Sequence, residues 1–148
     1  MQKYVKDSYT EQVHVLTMSN LNGYNRLFGG QLMSWIDEVA AVVARRHSGQ
    51  NVTTASIDTL VFKKPAHAND TVIINGKITY AGNTSMEIDV KTYVEKLNGE
   101  QVLINEAFVT MVALDENERP TKIPALILEN DEERQNFEEA VKRKNGRL

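Results

Sequence analysis

A chain of 148 residues without cysteine is long enough to bury one sizeable core, and it can hold no disulfide, thiolate zinc site or cysteine nucleophile. Its 17 basic and 20 acidic residues leave a formal net charge of -3, which argues against the broad electrostatic attraction to nucleic acid that clustered lysines and arginines provide. Residues 1–11 mix Lys3, Lys6, Asp7 and Glu11 with polar residues and lack the apolar run of a secretion signal. The most apolar window, 32–44, is interrupted by Ser34, Asp37 and Glu38 and is too short to cross about 30 Å of hydrocarbon. The expectation is a soluble, cytoplasmic protein made of a single domain over 1–148, with no membrane insertion and no nucleic-acid partner.

Residues 11–18 alternate Val13 and Val15 with polar neighbours and read as a strand; the turn-rich Ser19-Asn20-Leu21-Asn22-Gly23-Tyr24-Asn25 follows. A helix is predicted over 31–47, which contains no proline or glycine, is rich in leucine, methionine and alanine, and stops at Ser48-Gly49. Four runs rich in Val, Ile, Thr, Tyr and Phe, at 53–63, 71–80, 84–96 and 101–115, read as strands. The links between them are short, and Asn98-Gly99 is a hairpin signal, so consecutive antiparallel neighbours are expected. The tail opens with Glu129, Asp131, Glu132 and Glu133 and closes with Lys142, Arg143 and Lys144, the order that complements a helix dipole. Strand, helix, four strands and helix make an α+β domain.

The first helix carries the most information. Leu32, Ile36, Val39 and Val43 form one stripe at helical spacing, and Trp35 and Val42 widen it. Each large side chain gains roughly 1.5–3 kcal/mol on full burial, so the strands are expected to wrap around this helix. Gly30, Ser34, Asp37, Ala41 and Ala44 form a second ribbon, one carboxylate among small residues. One reading is close packing, with Asp37 bonded to backbone or an arginine. The other is a site, because small neighbours leave room and an ionised carboxylate without partners is expensive to bury. Glu38 lies about 100° further round the helix and is expected to be exposed. Leu27-Phe28-Gly29-Gly30 leads into the helix start, where amide groups lack partners and glycines let a ligand approach. Such amides stabilise an oxygen gaining negative charge, although a glycine pair is also simply a turn.

The segment from Asn22-Gly23-Tyr24-Asn25-Arg26 through Phe28-Gly29-Gly30-Gln31 to Trp35-Ile36-Asp37-Glu38 and Ala44-Arg45-Arg46-His47 resembles the hotdog-fold acyl-CoA thioesterases of the cytosolic acyl-CoA hydrolase group. Further resemblance lies in Thr54-Ala55-Ser56-Ile57-Asp58, Phe62 with Pro65, Thr84-Ser85-Met86, and Phe108 with Val112-Ala113-Leu114-Asp115, so that it covers about 13–143. It implies an antiparallel sheet wrapped around a central helix, with a C-terminal helix. It also implies hydrolysis of an acyl-CoA to a free acid and coenzyme A. No cofactor is implied, since coenzyme A is part of the substrate and a product. The implied assembly is a homodimer at minimum, with a trimer of dimers above it.

In the implied site Asp37 is general base or nucleophile and Asn22 lies opposite, across a subunit interface. A carboxylate can take a proton from water or attack the thioester, whereas an amide can only orient water or donate to an oxyanion. Counting back from the glycines selects Asn22, and a shifted loop would transfer its role to Asn25. Gly29 and Gly30 would bind the thioester oxygen; Phe28, Thr84 and Ser85 would contact substrate. Asn83 departs from the resemblance, since relatives often carry an arginine before the Thr-Ser pair, and this puts the coenzyme A phosphate contacts in question.

No Gly-x-Ser-x-Gly elbow, Gly-x-x-x-x-Gly-Lys loop or Gly-x-Gly-x-x-Gly fingerprint is present. His14, His47 and His67 stand apart without ligand spacing, so no metal is expected and each is assigned a surface or capping role. Arg45-Arg46 and Lys63-Lys64 are the adjacent basic pairs outside the tail, read as solvated surface charge with weak attraction for a polyanion. Competing readings are a non-catalytic acyl-CoA-binding or sensing module, which the acid at Asp37 argues against, and a dehydratase, which would typically use a histidine. A purely structural assembly protein is the remaining alternative.

Overall fold

A computed structural model of the chain describes residues 1–58 and 62–146. In chain order its elements are β1 (Gln2–Tyr4), β2 (Thr10–Val15), α1 (Gly29–Ser48), β3 (Asn51–Asp58), β4 (Thr71–Ala81), β5 (Ser85–Glu95), β6 (Gln101–Leu114), β7 (Ala125–Ile127) and α2 (Asp131–Gly146). Five strands form one antiparallel sheet in the order β2-β4-β5-β6-β3. The sheet curls around α1 as the apolar stripe requires: Leu32, Ile36, Val39 and Val43 are completely buried and Trp35 nearly so. Against them pack Val72, Ile74 and Ile78 of β4, Ile88 and Val90 of β5, and Ala107, Val109 and Met111 of β6. Contact between helix and sheet is close at Gly76, where an added Cβ would stand 2.7 Å from Val39 Cγ1 and 3.0 Å from Val43 Cγ2. A side chain there would push α1 off β4.

Helix α2 covers the other face. Phe137 packs on Tyr80 with ring centroids 5.1 Å apart, and the Arg143 guanidinium lies 3.7 Å over the Phe108 ring. Arg143 also forks onto Glu87 through 2.7 and 3.0 Å hydrogen bonds. This is the hotdog architecture, with a C-terminal helix added. Among the described residues no helix is long and apolar enough to cross a membrane.

Several expectations are corrected. The run at 53–63 is a strand only over Asn51–Asp58; Phe62 and Lys63 lie outside it, and 59–61 fall outside the described residues. It does not neighbour the next strand. β3 pairs with β6 at the far edge of the sheet, while β2 occupies the free edge of β4 through registers from Thr10 with Gly76 to Val15 with Thr71. The stretch between β3 and β4 is too long to be a hairpin, and a connection of that length can pass β6 and β5 to reach the position next to β2. In β2 the alternation holds with the opposite face inward. Val13 and Val15 are 58% and 60% exposed, whereas His14 turns in and stacks on Trp35 at 3.9 Å. His47 is completely buried, its Nε2 donating to the Pro124 carbonyl at 2.8 Å, and burial lowers its pKa. It ties the end of α1 to the strand pair β1–β7, which runs parallel from Gln2 with Ala125 to Tyr4 with Ile127 and was not foreseen from the sequence.

Candidate active site

The loop ahead of α1 is built around Asn22. Its backbone N–H donates to the Arg26 carbonyl at 2.8 Å, and its Oδ1 accepts from the Tyr24 and Arg26 N–H groups at 2.8 and 3.3 Å. Side-chain turns of this kind are what asparagine supplies in loops. With the oxygen committed to the loop, the Nδ2 amide is left to reach outward, so Asn22 presents a hydrogen-bond donor. Asn25 sits in the left-handed region at φ 60°. It is Asn22 that lines the adjoining groove of about 400 Å³, with Arg26, Leu27, Gly29, Phe62, Lys63, Lys64 and Pro65.

Phe28 is the N-cap of α1, and no side chain caps the helix. Its own N–H donates to the Asn20 carbonyl at 2.8 Å. The half-exposed Phe28 ring folds back over Gly30, where an added Cβ would stand 2.6 Å from the ring edge. Only glycine admits that fold. The first-turn amides have no intrahelical partner and remain donors beside the groove.

Gly30 borders a second groove, of about 420 Å³, with Met33, Ser34, Asp37, Thr54 and Ile57. The small-residue ribbon thus opens to a cavity over its first half, and close packing begins only at its end, where Ala44 is completely buried. Asp37 Oδ1 accepts a 2.6 Å hydrogen bond from Thr54 Oγ1. Among the described residues no arginine or lysine forms an ion pair with it, so the carboxylate is oriented by a neutral donor at the rim of an open groove. Thr54 sits beside a register shift between Thr54 and Ser56 in β3, and such bulges re-aim side chains. The sequence reading named Thr54 only within the resembling stretch Thr54 to Asp58 and gave it no place in the site: a threonine in a strand shows no partner until the pairing of β3 brings it over α1.

Within one chain Asn22 and Asp37 line different grooves, on either side of the helix start. Thr84 and Ser85 lie elsewhere. The Thr84 carbonyl accepts from the Ala113 N–H at 3.0 Å, and Ser85 lines a cleft of about 200 Å³ with Tyr80, Glu87, Ala140 and Lys144. A further surface cavity, of about 660 Å³ beside β1 and β7, has Lys122 as the charged side chain among its described lining residues. Its described lining holds no carboxylate and no histidine.

A curled antiparallel sheet around a central helix, with an unneutralised carboxylate on that helix beside uncapped amides, defines a hotdog-fold thioesterase. Residues 24–99 match the thioesterase superfamily, and the chain belongs to it. It is 38% identical over 146 residues to an uncharacterized acyl-CoA thioester hydrolase of Bacillus subtilis, covering 98% of this chain and 85% of that protein. It spans a smaller part, 36%, of the rat cytosolic acyl coenzyme A thioester hydrolase, at 31% identity. Among solved structures, an apo-hexameric acyl-CoA thioesterase superposes with a TM-score of 0.94 at 37% identity, covering 99% of this chain and 94% of the other. An acyl-CoA hydrolase of Staphylococcus aureus, solved with butyryl coenzyme A and coenzyme A, gives 0.92 at 32% identity, covering 99% and 92%. Alanine variants of that hydrolase, at an asparagine, an aspartate and a threonine, have also been solved. The intervals between those three positions equal those separating Asn22, Asp37 and Thr54.

Proposed function

We propose that this chain hydrolyses acyl-CoA thioesters to free acid and coenzyme A, at a site formed by Asp37 of one subunit and Asn22 of another. The observation that carries this reading is the 2.6 Å bond from Thr54 to Asp37, which fixes one carboxylate oxygen without cancelling its charge and leaves the other for chemistry. As general base, Asp37 removes a proton from water while the water oxygen attacks the thioester carbonyl carbon. As nucleophile, it attacks that carbon itself, and water then cleaves the resulting anhydride. In both cases the carbonyl oxygen gains negative charge, and we assign the Gly29 and Gly30 amides to stabilise it. The C–S bond breaks as this charge collapses, in the nucleophilic route before water enters, and the departing thiolate takes up a proton that the water supplies and leaves as coenzyme A. Phe28, Thr84 and Ser85 are assigned to substrate contact, and no cofactor or metal is invoked.

A second subunit is part of the reading because Asn22 and Asp37 do not share a groove within one chain. β3 is an edge strand with Asn51, Thr53, Thr54 and Ala55 exposed, and such edges are satisfied by pairing with another copy. Hexameric neighbours of the same fold support a homodimer assembled into a trimer of dimers, and a relative named as cytosolic supports action in the cytoplasm. Thiol release from acyl-CoAs of several chain lengths tests the activity. The parent protein should turn over at least one of them, with Asp37→Ala binding the substrate but releasing no thiol. Binding by the parent without thiol release would overturn the assignment.

A further inference from the structure

Arg26, Lys63 and Lys64 converge on the groove that holds Asn22, and no acid is among the described residues that line it. In a chain of net charge -3, three cations around about 400 Å³ are a local exception. Among the described residues none of the three is in an ion pair. Their backbones are fixed nonetheless. The Arg26 N–H donates to Asn22 Oδ1 and its carbonyl accepts from the Asn22 N–H. Lys63 N–H donates to the Ile104 carbonyl, and Leu27 N–H to the Ala66 carbonyl, each at 2.8 Å. Pro65 restricts Lys64 to extended backbone. Fixed anchors with unpaired cationic ends, beside the partly exposed Phe62 ring, form a surface suited to phosphate groups. The β4–β5 turn carries Asn83 and offers no cation there.

We propose that Arg26, Lys63 and Lys64 bind the phosphate-bearing nucleotide end of the thiol carrier, from the subunit that supplies Asn22 and not from the one that supplies Asp37. This rests on the acyl-CoA reading above. One subunit then holds the carrier while the other performs the chemistry, and Lys63-Lys64 is part of the binding surface where the sequence suggested only solvated charge.

The test is the triple variant Arg26→Gln/Lys63→Gln/Lys64→Gln. Its KM for an acyl-CoA should rise about tenfold at low ionic strength while kcat stays within about twofold, since the contacts are remote from the reacting bond. The parent KM should climb with added salt and the variant's should not. Lys96→Gln/Lys142→Gln, which removes charge elsewhere, should leave KM at the parent value. If the triple variant does not fold, the exposed single variants Lys63→Gln and Lys64→Gln decide the matter, each raising KM about threefold. A KM unchanged within about twofold in the folded variants, with normal turnover, overturns the inference. Should the parent fail to hydrolyse any acyl-CoA, calorimetry with adenosine 3′,5′-bisphosphate separates the two claims. Binding lost in the triple variant upholds the groove while hydrolysis fails; equal or absent binding in both proteins overturns the groove.

Discussion

Thr54 Oγ1 lies 2.6 Å from Asp37 Oδ1, a hydrogen bond that joins the outermost strand of the sheet to the middle of the central helix. A hydroxyl orients a carboxylate without neutralising it, unlike an arginine, and holding a reacting group in place contributes directly to rate. Thr54→Val keeps the side-chain shape and removes the donor. Its kcat should fall at least about tenfold with KM within about twofold of the parent, and Thr54→Ser should recover most of the loss. Parent-level kcat in Thr54→Val would show that the bond has no positioning role.

Asn22 and Asp37 line separate grooves of one chain, so a site shared between subunits can be rebuilt from two defective proteins. Asn22→Ala and Asp37→Ala should each be inactive alone. After unfolding, equal mixing and refolding, half the dimers are mixed and each mixed dimer keeps one intact site, which gives about a quarter of the parent's specific activity. Absence of recovery, with mixed dimers confirmed by mass, would place both residues of a working site in the same chain.

Arg143 of α2 and Glu87 of β5 form the main polar link between the C-terminal helix and the sheet, with Thr79 Oγ1 donating to the same carboxylate at 2.7 Å. Glu87 is 2% exposed, so removing its partner strands a buried charge. Arg143→Met should cost about 3 kcal/mol in urea unfolding, and adding Glu87→Gln should recover much of it. Equal losses in the single and double variants would mean that packing on Phe108, and not the ion pair, sets the cost.

Residues near one another in sequence made much of this legible. The Leu32, Ile36, Val39 and Val43 stripe, the run free of proline and glycine, and the Gly29-Gly30 entry all report on local backbone and on one helix face, and α1 with its groove follows from them. Alternation in β2 showed that Val13 and Val15 share a face but carries no information about which face. The partner of β3, the three-residue pairing of β1 with β7, and the burial of His47 all depend on contacts between distant segments. Thr54 belongs with these, because its hydrogen bond to Asp37 exists only once β3 crosses over α1. The basic groove lay half in view: Lys63-Lys64 stood out as a pair, but its convergence with Arg26 required the loop geometry around Asn22.

Asp89 connects the fold to pH. It is 7% exposed on the outer face of β5, and Lys91 Nζ stands 3.9 Å from its Oδ2 and 4.0 Å from Glu106 Oε2. Burial, then a hydrogen bond with Glu106 and the charge of that carboxyl, push the Asp89 pKa from 3.8 up to about 7, against the opposing pull of Lys91 and Lys77. Lys77 is shared with Glu132 of α2 at 3.1 Å, and Arg143 is committed to Glu87. Because the folded value lies above the ordinary one, the native state favours the protonated form. The associated stability is complete below about pH 4, declines as pH rises, and is gone above about pH 7, where folding must bury the ionised group. Asp89→Asn retains the shape without the charge. Its thermal midpoint should exceed the parent's by a margin that widens by about 3 °C or more between pH 5 and pH 8. Parallel midpoint curves for the two proteins over that range would show that Asp89 stays ionised throughout and that Lys91 compensates it fully.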